Sequence, residues 1–500
     1  MSGPPSSENG SRRSRWRVAG LYAIALLPFL TLAALEWPSH PDLDGSDYAQ
    51  YKAHALALLE GRPYTDTGYL YTELESRFSP QAYPPGWPAS LAAAFVLFGR
   101  SDGVAKGLTL LFACALLLGA GAYLGRRTSH ALGAATVLLL GLSPLMVTHS
   151  VAPLSDVPFA AAVWWTILLA DRHGHWAAGR AMLVTVAAGV AVLLRPHGMI
   201  LVGALGIWGI AVRRERGPWA LAPAGALGLA IAIGRSHLPA TAVRAFQPPR
   251  EMAENLVTVR RVDVLAVFEG HLYPFHGDLP NDVYHVVSFL LMAVGIVAFA
   301  RRYPRSSGLW FAAVYALGLA ITSFGAIESR FAIPILPVTV FGLLYGVAVL
   351  ASRWNARART IAPVVLAGLL AVVTTFKAFT VERPPPLRSD PAYLDLLDVV
   401  GSRAGAGVRL VSFRPRYIAL ETGVPGMPTL RVEDIAAHFD AWCRGGITHV
   451  LLGDMELRPS GDRATRSAIA SRPEAFSLEY FNDEFELYRF DPALGCRSSR

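Results

Sequence analysis

Apolar runs of membrane-spanning length recur along most of this chain, separated by short polar stretches. A helix that crosses a bilayer needs about 20 mostly apolar residues. The pair 181–194 and 198–212 is short, and we interpret it as two tilted helices that meet at the sequence RPHG. Eleven segments fit the pattern: 18–37, 103–125, 131–149, 153–170, 181–194, 198–212, 218–234, 283–300, 308–326, 331–351 and 361–380. The pattern predicts an α-helical polytopic membrane protein.

Arginine clusters fall at alternate span ends. If the N-terminus is cytoplasmic, every such cluster faces the cytoplasm and most loop acids face outside, as the positive-inside rule requires. The alternation holds only if the segment 86–99 does not cross, and we predict that this segment lies in the outer interface or re-enters it. The inner clusters are Arg12/Arg13/Arg15/Arg17, Arg126/Arg127, Arg172/Arg180, Arg213/Arg214/Arg216, Arg301/Arg302/Arg305 and Arg353/Arg357/Arg359.

Composition agrees with this topology. The 500-residue chain is 53% hydrophobic and 16% charged, whereas soluble proteins carry about 25% charged residues. The net charge of +8 is concentrated at span ends, which argues against nucleic acid as a partner. The preference for Arg over Lys is typical of a GC-rich bacterial genome. We therefore expect a multi-pass protein of the cell inner (plasma) membrane, in contact with the lipid bilayer.

The spans divide the chain into three regions. Residues 1–17 form a cytoplasmic tail, and residues 18–380 form the membrane domain, with long outer loops at 38–102 and 235–282. Residues 381–500 begin with the Pro-rich linker RPPPL, which is a stiff spacer. Alternating strand and helix patterns follow, and they predict a small extracytoplasmic α/β domain. Cys443 and Cys496 could pair there, because disulfides persist outside the cytoplasm.

Three aspartates open the first outer loop at Asp42, Asp44 and Asp47. Apolar residues recur at helical spacing after Asp47, and Gly61 ends that pattern, so we predict an amphipathic helix on the membrane surface with Asp47 at or near its N-cap. Asp47 could merely cap the helix. A carboxylate fixed at a helix start could also act as a general base.

Five short motifs in this order resemble the polytopic GT-C glycosyltransferases. The resemblance is to the group that includes protein O-mannosyltransferases and lipid A aminoarabinose transferases (glycosyltransferase family 39-like), and it covers residues 18 to 351. That group often has two adjacent acids where this chain has Asp47 followed by Tyr48, so the second acid is Asp44 or is absent. The matching residues are Asp47/Tyr51/Ala55/Leu58/Gly61/Tyr64, Tyr83 to Gly86 with Pro88, Leu154 to Asp156 with Pro158, Arg195/Gly198, and Arg330/Phe331/Pro334/Pro337.

The resemblance implies a membrane enzyme that moves a sugar from a polyprenyl-phosphate donor to a glycan, lipid or protein acceptor on the outer side. Asp47, with Asp44 as the second acid, would be catalytic. An acceptor hydroxyl needs a base, and a departing phosphate needs positive charge or a metal. The alternatives left open are that Asp156 only caps its helix and that either arginine snorkels to lipid headgroups. The predicted substrate-binding residues are Glu73, Tyr83, Asp156, Arg195 and Arg330.

A divalent metal is an open question. Glu269, His271 and His276 lie close together in the second outer loop and could be metal ligands. Their spacing matches no defined metal motif, and a solvated loop is the favoured interpretation.

Two other functions remain possible. A non-enzymatic transporter of lipid-linked sugars should show inverted repeats and charges near the bilayer midplane, whereas the polar residues here cluster at one face. An oligosaccharide ligase or polymerase typically carries its large loop late in the chain, whereas the acid-rich loop here follows the first span.

Overall fold

The chain forms two compact units in a computed structural model. Residues 8–38, 46–75, 80–171, 178–213, 225, 278–321, 329–380, 390–453 and 459–496 are described. The helical unit comprises Met1–Pro38, Gly103–Gly234 and Ala245–Glu382. The α/β unit comprises Ser39–Asp102, Arg235–Arg244 and Arg383–Arg500. The first outer loop thus belongs to the same unit as the C-terminal domain.

Helices account for most of the described residues before the C-terminal domain. Helices α2 and α3 belong to the α/β unit, and the others lie in the helical unit except for the first residue of α4. In chain order they are α1 (Glu8–Glu36), α2 (Ser46–Leu59), α3 (Gly86–Phe98), α4 (Asp102–Arg127), α5 (His130–Leu142), α6 (Pro144–Ser150), α7 (Asp156–Ala170), α8 (Ala178–Leu194), α9 (Gly198–Ile207), α10 (Asp278–Arg302), α11 (Ser307–Ile321), α12 (Leu336–Ala351) and α13 (Ala356–Thr380).

Three helices among the described residues are long and apolar enough to cross a membrane: Trp16–Glu36, Asp102–Arg127 and Ala356–Phe376. The pair α5 and α6 would make a fourth if the two helices form one bent span. Six shorter apolar helices, α3 among them, have 10–17 residues. The structure therefore supports a membrane protein but does not confirm eleven spans. The predicted span 218–234 lies outside the described residues, apart from Gly225.

The predicted span 131–149 is not one straight helix. It consists of α5 and α6, which are bent by 70° at their junction. Ser143 adopts an extended conformation (φ −59°, ψ 127°) before Pro144. A residue that precedes proline avoids the helical region, and proline has no N–H to continue the hydrogen bonding. The proline therefore breaks a run whose hydropathy alone predicts a single span.

Glycines allow α10 and α12 to pack at very close range. A methyl group at Gly295 of α10 would overlap the carbonyl oxygen of Gly342, and one at Gly346 would overlap that of Leu291. Small residues spaced four apart let two helix backbones approach each other where van der Waals packing is the main attraction. This crossing lies in the interior of the helical unit.

The C-terminal part is the predicted α/β domain. Its five strands stand in the order β2-β1-β3-β5-β4, where β1 pairs in parallel with β2 and β3, and β5 pairs antiparallel with β3 and β4. The elements are α14 (Pro391–Gly401), β1 (Leu410–Ser412), α15 (Pro415–Thr422), β2 (Gly426–Pro428), α16 (Ile435–Gly445), β3 (His449–Leu452), α17 (Pro459–Ser471), β4 (Phe476–Phe481), β5 (Glu486–Phe490) and α18 (Pro492–Gly495).

The first outer loop is built into this domain. Tyr69 forms a parallel bridge with Gly426, and Leu70 donates its N–H to the Gly426 carbonyl at 2.7 Å. Ala49 of α2 lies in one hydrophobic core of the domain, and Leu70 packs against the other. Loop and domain therefore share their cores.

Helix α2 is covered by protein. Its residues Tyr48, Tyr51 and Ala55 are buried, and the helix packs against α3 and α15. The prediction of an amphipathic helix resting on the membrane surface is therefore wrong, because its apolar side is occupied by the protein's own helices. Gly61 ends the helix as predicted, with a φ of +65° that glycine adopts without strain.

Cys443 and Cys496 form a disulfide, with 5.9 Å between their Cα atoms. It joins the last turn of α16 to the residue that follows α18. The pairing that the sequence leaves open is therefore present in the structure.

Candidate functional site

Asp47 lies in the first turn of α2, one residue inside the helix, where the positive end of the helix dipole favours a carboxylate. Its Oδ1 atom accepts a hydrogen bond of 2.5 Å from the Tyr83 hydroxyl. Burial raises the pKa of Tyr83 well above its ordinary value. Tyr83 therefore remains a proton donor toward Asp47 at physiological pH.

The polar face of α2 positions the backbone of Tyr83. Gln50, which is fully buried, donates to the carbonyl of Gln81 at 3.0 Å. The Tyr64 hydroxyl donates to the Tyr83 carbonyl at 2.8 Å, and the Tyr51 ring lies 4.5 Å from the Tyr83 ring, centre to centre. Two predicted motif tyrosines, Tyr51 and Tyr64, thus support the tyrosine that contacts Asp47.

His54 completes this support as a neutral imidazole. Burial lowers its pKa to about 4, although a hydrogen bond to the Tyr64 carbonyl opposes the change. That bond, 2.6 Å from Nδ1, requires a proton on Nδ1. The other nitrogen, Nε2, then accepts from the Tyr83 N–H at 3.4 Å and from Gln50 at 3.2 Å. The arrangement assigns the tautomer.

Arg416 of the C-terminal domain also reaches Asp47. Its side chain is fully buried and forms an ion pair with Asp47 Oδ1 at 3.4 Å. The same Nη1 atom donates to the Tyr83 hydroxyl at 3.0 Å, and Nη2 donates to the Pro80 carbonyl. The guanidinium carbon lies 4.6 Å from the centre of the Tyr69 ring, within the range of a cation–π contact.

Arg416 is not among the site residues that the sequence predicts. It lies 369 residues from Asp47, and no motif includes it. A weak signal was present, since Arg416 stands between Pro415 and the apolar run Tyr417 to Ala419 in a helix whose first five residues are buried. An arginine is rarely buried there without a partner.

Asp44 and Glu73 are the other predicted site acids of this loop. Asp44 lies outside the described residues. Glu73 is exposed, at the first position of the 3₁₀ turn Glu73–Glu75. Its neighbour Glu75 is buried instead and accepts the N–H of Arg431 at 2.8 Å. Glu75 thus joins the loop to the C-terminal domain, while Glu73 points toward solvent.

A second polar cluster lies in the helical unit and gathers three predicted residues. Asp156, which is only 3% exposed, begins α7 and forms an ion pair with Arg195. Arg330 and His149 also lie within electrostatic range of this carboxylate. The guanidinium carbons of Arg195 and Arg330 lie 5.0 and 5.6 Å from the centre of the Phe331 ring.

Three breaks in the helical pattern produce this cluster. Asp156 opens α7, Arg195 follows α8 at the RPHG break before Gly198 starts α9, and Arg330 lies in the 3₁₀ turn Ser329–Ala332. Residues far apart in the chain thus meet at helix ends, as expected if all three lie at one membrane face. Arg195 thus has a carboxylate partner within the protein.

The metal question is not advanced by the structure. Glu269, His271 and His276 lie outside the described residues. The residues that the structure describes contain no group of three or more His, Cys, Asp or Glu side chains that could hold a metal ion.

Comparison with solved structures shows that the chain has the fold of two GT-C proteins. The fold is similar to that of the archaeal oligosaccharyltransferase AglB from Archaeoglobus fulgidus, in complex with an inhibitory peptide and a dolichol-phosphate. The TM-score is 0.58 at 14% identity, covering 89% of this chain and 70% of that one.

ArnT from Cupriavidus metallidurans is also similar. Its apo structure gives a TM-score of 0.54 at 15% identity, covering 96% of this chain and 99% of that one. The ArnT structure bound to undecaprenyl phosphate gives 0.55 at 15% identity, covering 94% and 97%. No protein-family model and no curated protein matches the chain. The predicted GT-C fold is confirmed.

Proposed function

We propose that this protein is a membrane glycosyltransferase that moves a sugar from a polyprenyl-phosphate donor to an acceptor on the extracytoplasmic side. The observation that carries the proposal is the Asp47 carboxylate, held by Tyr83 and Arg416 at the start of α2. Its setting adds support: the chain shares its fold with AglB and ArnT, whose structures contain dolichol-phosphate and undecaprenyl phosphate.

Asp47 acts as the general base in this proposal. An acceptor hydroxyl loses its proton to the carboxylate while its oxygen bonds to the anomeric carbon of the sugar. The bond from that carbon to the phosphate breaks, and the polyprenyl phosphate leaves with the electron pair. Tyr83 and Arg416 fix the carboxylate oxygen Oδ1, and orientation of this kind accounts for much of enzymatic rate enhancement.

Arg195 and Arg330 bind the donor phosphate in this proposal. Guanidinium groups match phosphate geometry bidentately and remain charged at all physiological pH values. Asp156 orients Arg195 through their ion pair. Glu73, as an exposed acid of the first outer loop, contacts the acceptor or the phosphate, and Asp44 is the candidate for a second catalytic acid. Whether a divalent metal takes part stays open.

The proposed location is the inner membrane, with a cytoplasmic N-terminus and an extracytoplasmic C-terminal domain. The Cys443–Cys496 disulfide supports the second half, since disulfides form and persist in oxidising compartments.

The test is a transfer assay with purified protein in membranes. A panel of polyprenyl-phosphate sugars, with one lipid-linked oligosaccharide, is supplied with candidate acceptors, and acceptor-dependent release of polyprenyl phosphate is measured. Movement of lipid-linked sugar without bond cleavage would favour the transporter alternative instead.

Asp47→Asn tests the base. The amide keeps an oxygen for Tyr83 but cannot take a proton, so transfer should fall about 10²- to 10⁴-fold. Asp66→Asn is the matched control, because Asp66 is an exposed aspartate of the same loop and should retain activity. Since Asp47→Asn also leaves the Arg416 charge without its carboxylate partner, its thermal unfolding is measured alongside. A folded Asp47→Asn protein with a near wild-type rate would exclude Asp47 as the base.

A further inference from the structure

We propose that Arg416 is a positioning residue for Asp47, so that the C-terminal domain supplies part of the catalytic geometry. This inference rests on the proposed function, since it assigns Arg416 a task in the same transfer reaction. The C-terminal domain then contributes to the catalytic site and does not only cover the first outer loop.

Arg416 contacts both the Asp47 carboxylate and the Tyr83 hydroxyl. One nitrogen, Nη1, lies 3.0 Å from the Tyr83 hydroxyl and 3.4 Å from Asp47 Oδ1. The hydroxyl itself donates to Oδ1, so the three side chains form a closed triangle. Nη2 holds the Pro80 carbonyl, which begins the segment that carries Tyr83. Arg416 therefore sets both the direction of the carboxylate and the position of its tyrosine partner.

The Arg416 side chain is fully buried, whereas that of Asp47 is 22% exposed, so this is not an ordinary surface ion pair. A buried charge is screened little by solvent, and removing its partner leaves it uncompensated. The guanidinium is also packed against the rings of Tyr69 and Tyr83, at 4.6 and 5.2 Å from their centres. Lysine offers neither the planar stacking nor two separate donor nitrogens. The site thus requires arginine specifically.

The arginine also favours the ionised form of the carboxylate that a base requires, because a nearby opposite charge stabilises the charged form. Burial holds the pKa of Tyr83 well above its ordinary value, and burial lowers the pKa of His54 to about 4. Among the described residues, the titratable or charged side chains around the cluster include Tyr51 and His54 on α2, Tyr64, Tyr69 and Tyr83 in the following loop, and Arg416 on α15.

The experiment measures the pH dependence of kcat/KM for the full-length protein in membranes. Arg416→Gln should lower kcat about 10- to 100-fold through misplacement and move the acid limb to higher pH, because the charge that stabilises the ionised carboxylate is removed. Arg416→Lys should keep the limb near its wild-type position, because the charge remains, while still losing rate. His54→Gln is also compared with the double variant His54→Gln/Arg416→Gln. If the loss of Arg416 moves the acid limb by the same amount without His54, the limb belongs to Asp47 and not to His54.

Glu75→Gln is the matched control for a merely structural role. Glu75 also joins loop and domain, through the Arg431 N–H, and this variant should lower activity only as far as it lowers the folded fraction, with the limb in place. If the wild type is active and Arg416→Gln keeps the acid limb at its wild-type pH, the inference about Arg416 is wrong and the proposed function still stands. A wild type that is inactive with every donor and acceptor would remove the proposed function, and this inference with it.

Discussion

His54 shows how a single residue can couple pH to the order of the site. It is fully buried on α2, and its neutral Nε2 accepts from the Tyr83 backbone N–H. Protonation would place a second N–H against two donors, those of Tyr83 and Gln50. The imidazole therefore resists charging for the same reason that it can hold Tyr83 in place.

Folding stability should accordingly fall as the pH is lowered from about 6.5 to about 4. The pKa of His54 is lowered to about 4 by burial, so in this window the unfolded chain binds a proton that the folded chain does not. The loss amounts to about 3 kcal/mol at full extent. Thermal unfolding is measured from pH 7.5 to pH 4.5 for the wild type and for His54→Gln.

The variant should be less stable at pH 7.5 but lose less stability as the pH falls. His130→Gln replaces an exposed histidine of α5 and should keep the wild-type slope. Equal slopes for the wild type and His54→Gln would mean that other groups account for the acid sensitivity.

At this scale the sequence predicts some of the site and omits the rest. Asp47 and Tyr83 belong to local motifs, and the structure brings them together. Asp156, Arg195 and Arg330 likewise meet. The pairing of Arg416 with Asp47 does not follow from the sequence, because a contact across 369 residues leaves no periodicity and no local spacing in the chain.

Hydropathy predicts which segments are helical, but it predicts less well whether a helix is continuous. Most described helices of the helical unit overlap predicted spans, because apolar composition decides both. The bend between α5 and α6 depends on Pro144, and membrane helices tolerate proline often enough that its presence does not predict a break. The close crossing of α10 and α12 depends on which helix faces which, and the pattern within one helix does not specify its partner.

That crossing gives the next prediction. Gly295→Ala should destabilise the helical unit by about 1–3 kcal/mol, because the added methyl group meets backbone atoms that cannot yield as a side chain would. Gly368→Ala on α13 is the matched control. A methyl group there meets nothing within 4 Å, and alanine is the better helix former. Thermal unfolding in detergent compares the two, and equal stability would exclude close packing at Gly295.

The whole molecule differs from the predicted arrangement in how its domains are composed. The Pro-rich linker at 383–387 predicts where the C-terminal domain begins, because composition changes there. It gives no sign that Ala49 and Leu70 belong to the cores of that domain. The spacing of apolar residues in this loop is also what a helix on a membrane surface would show. The sequence therefore gives no indication that the apolar side packs against another domain.

The C-terminal domain should lie outside the cytoplasm. An even number of crossings after an inner N-terminus would place it inside, so the prediction tests the parity of the span count directly. A disulfide that closes a loop over 53 residues is worth about 4 kcal/mol to a domain of this kind. That gain is available only where thiols oxidise.

A reporter that is active only in the cytoplasm should therefore be silent when fused after Pro386, while the same reporter fused after Arg127 should be active. Arg127 ends α4 and belongs to a predicted inner cluster, so this fusion is the matched positive control. In the full-length protein, Cys443 and Cys496 should resist alkylation until a reductant is added, whereas the free Cys114 should label in unfolded protein without reductant. Cytoplasmic activity of the Pro386 fusion, with both domain thiols open to alkylation, would show that the crossings after Arg127 are miscounted and that the proposed outer-face reaction has its loop on the wrong side.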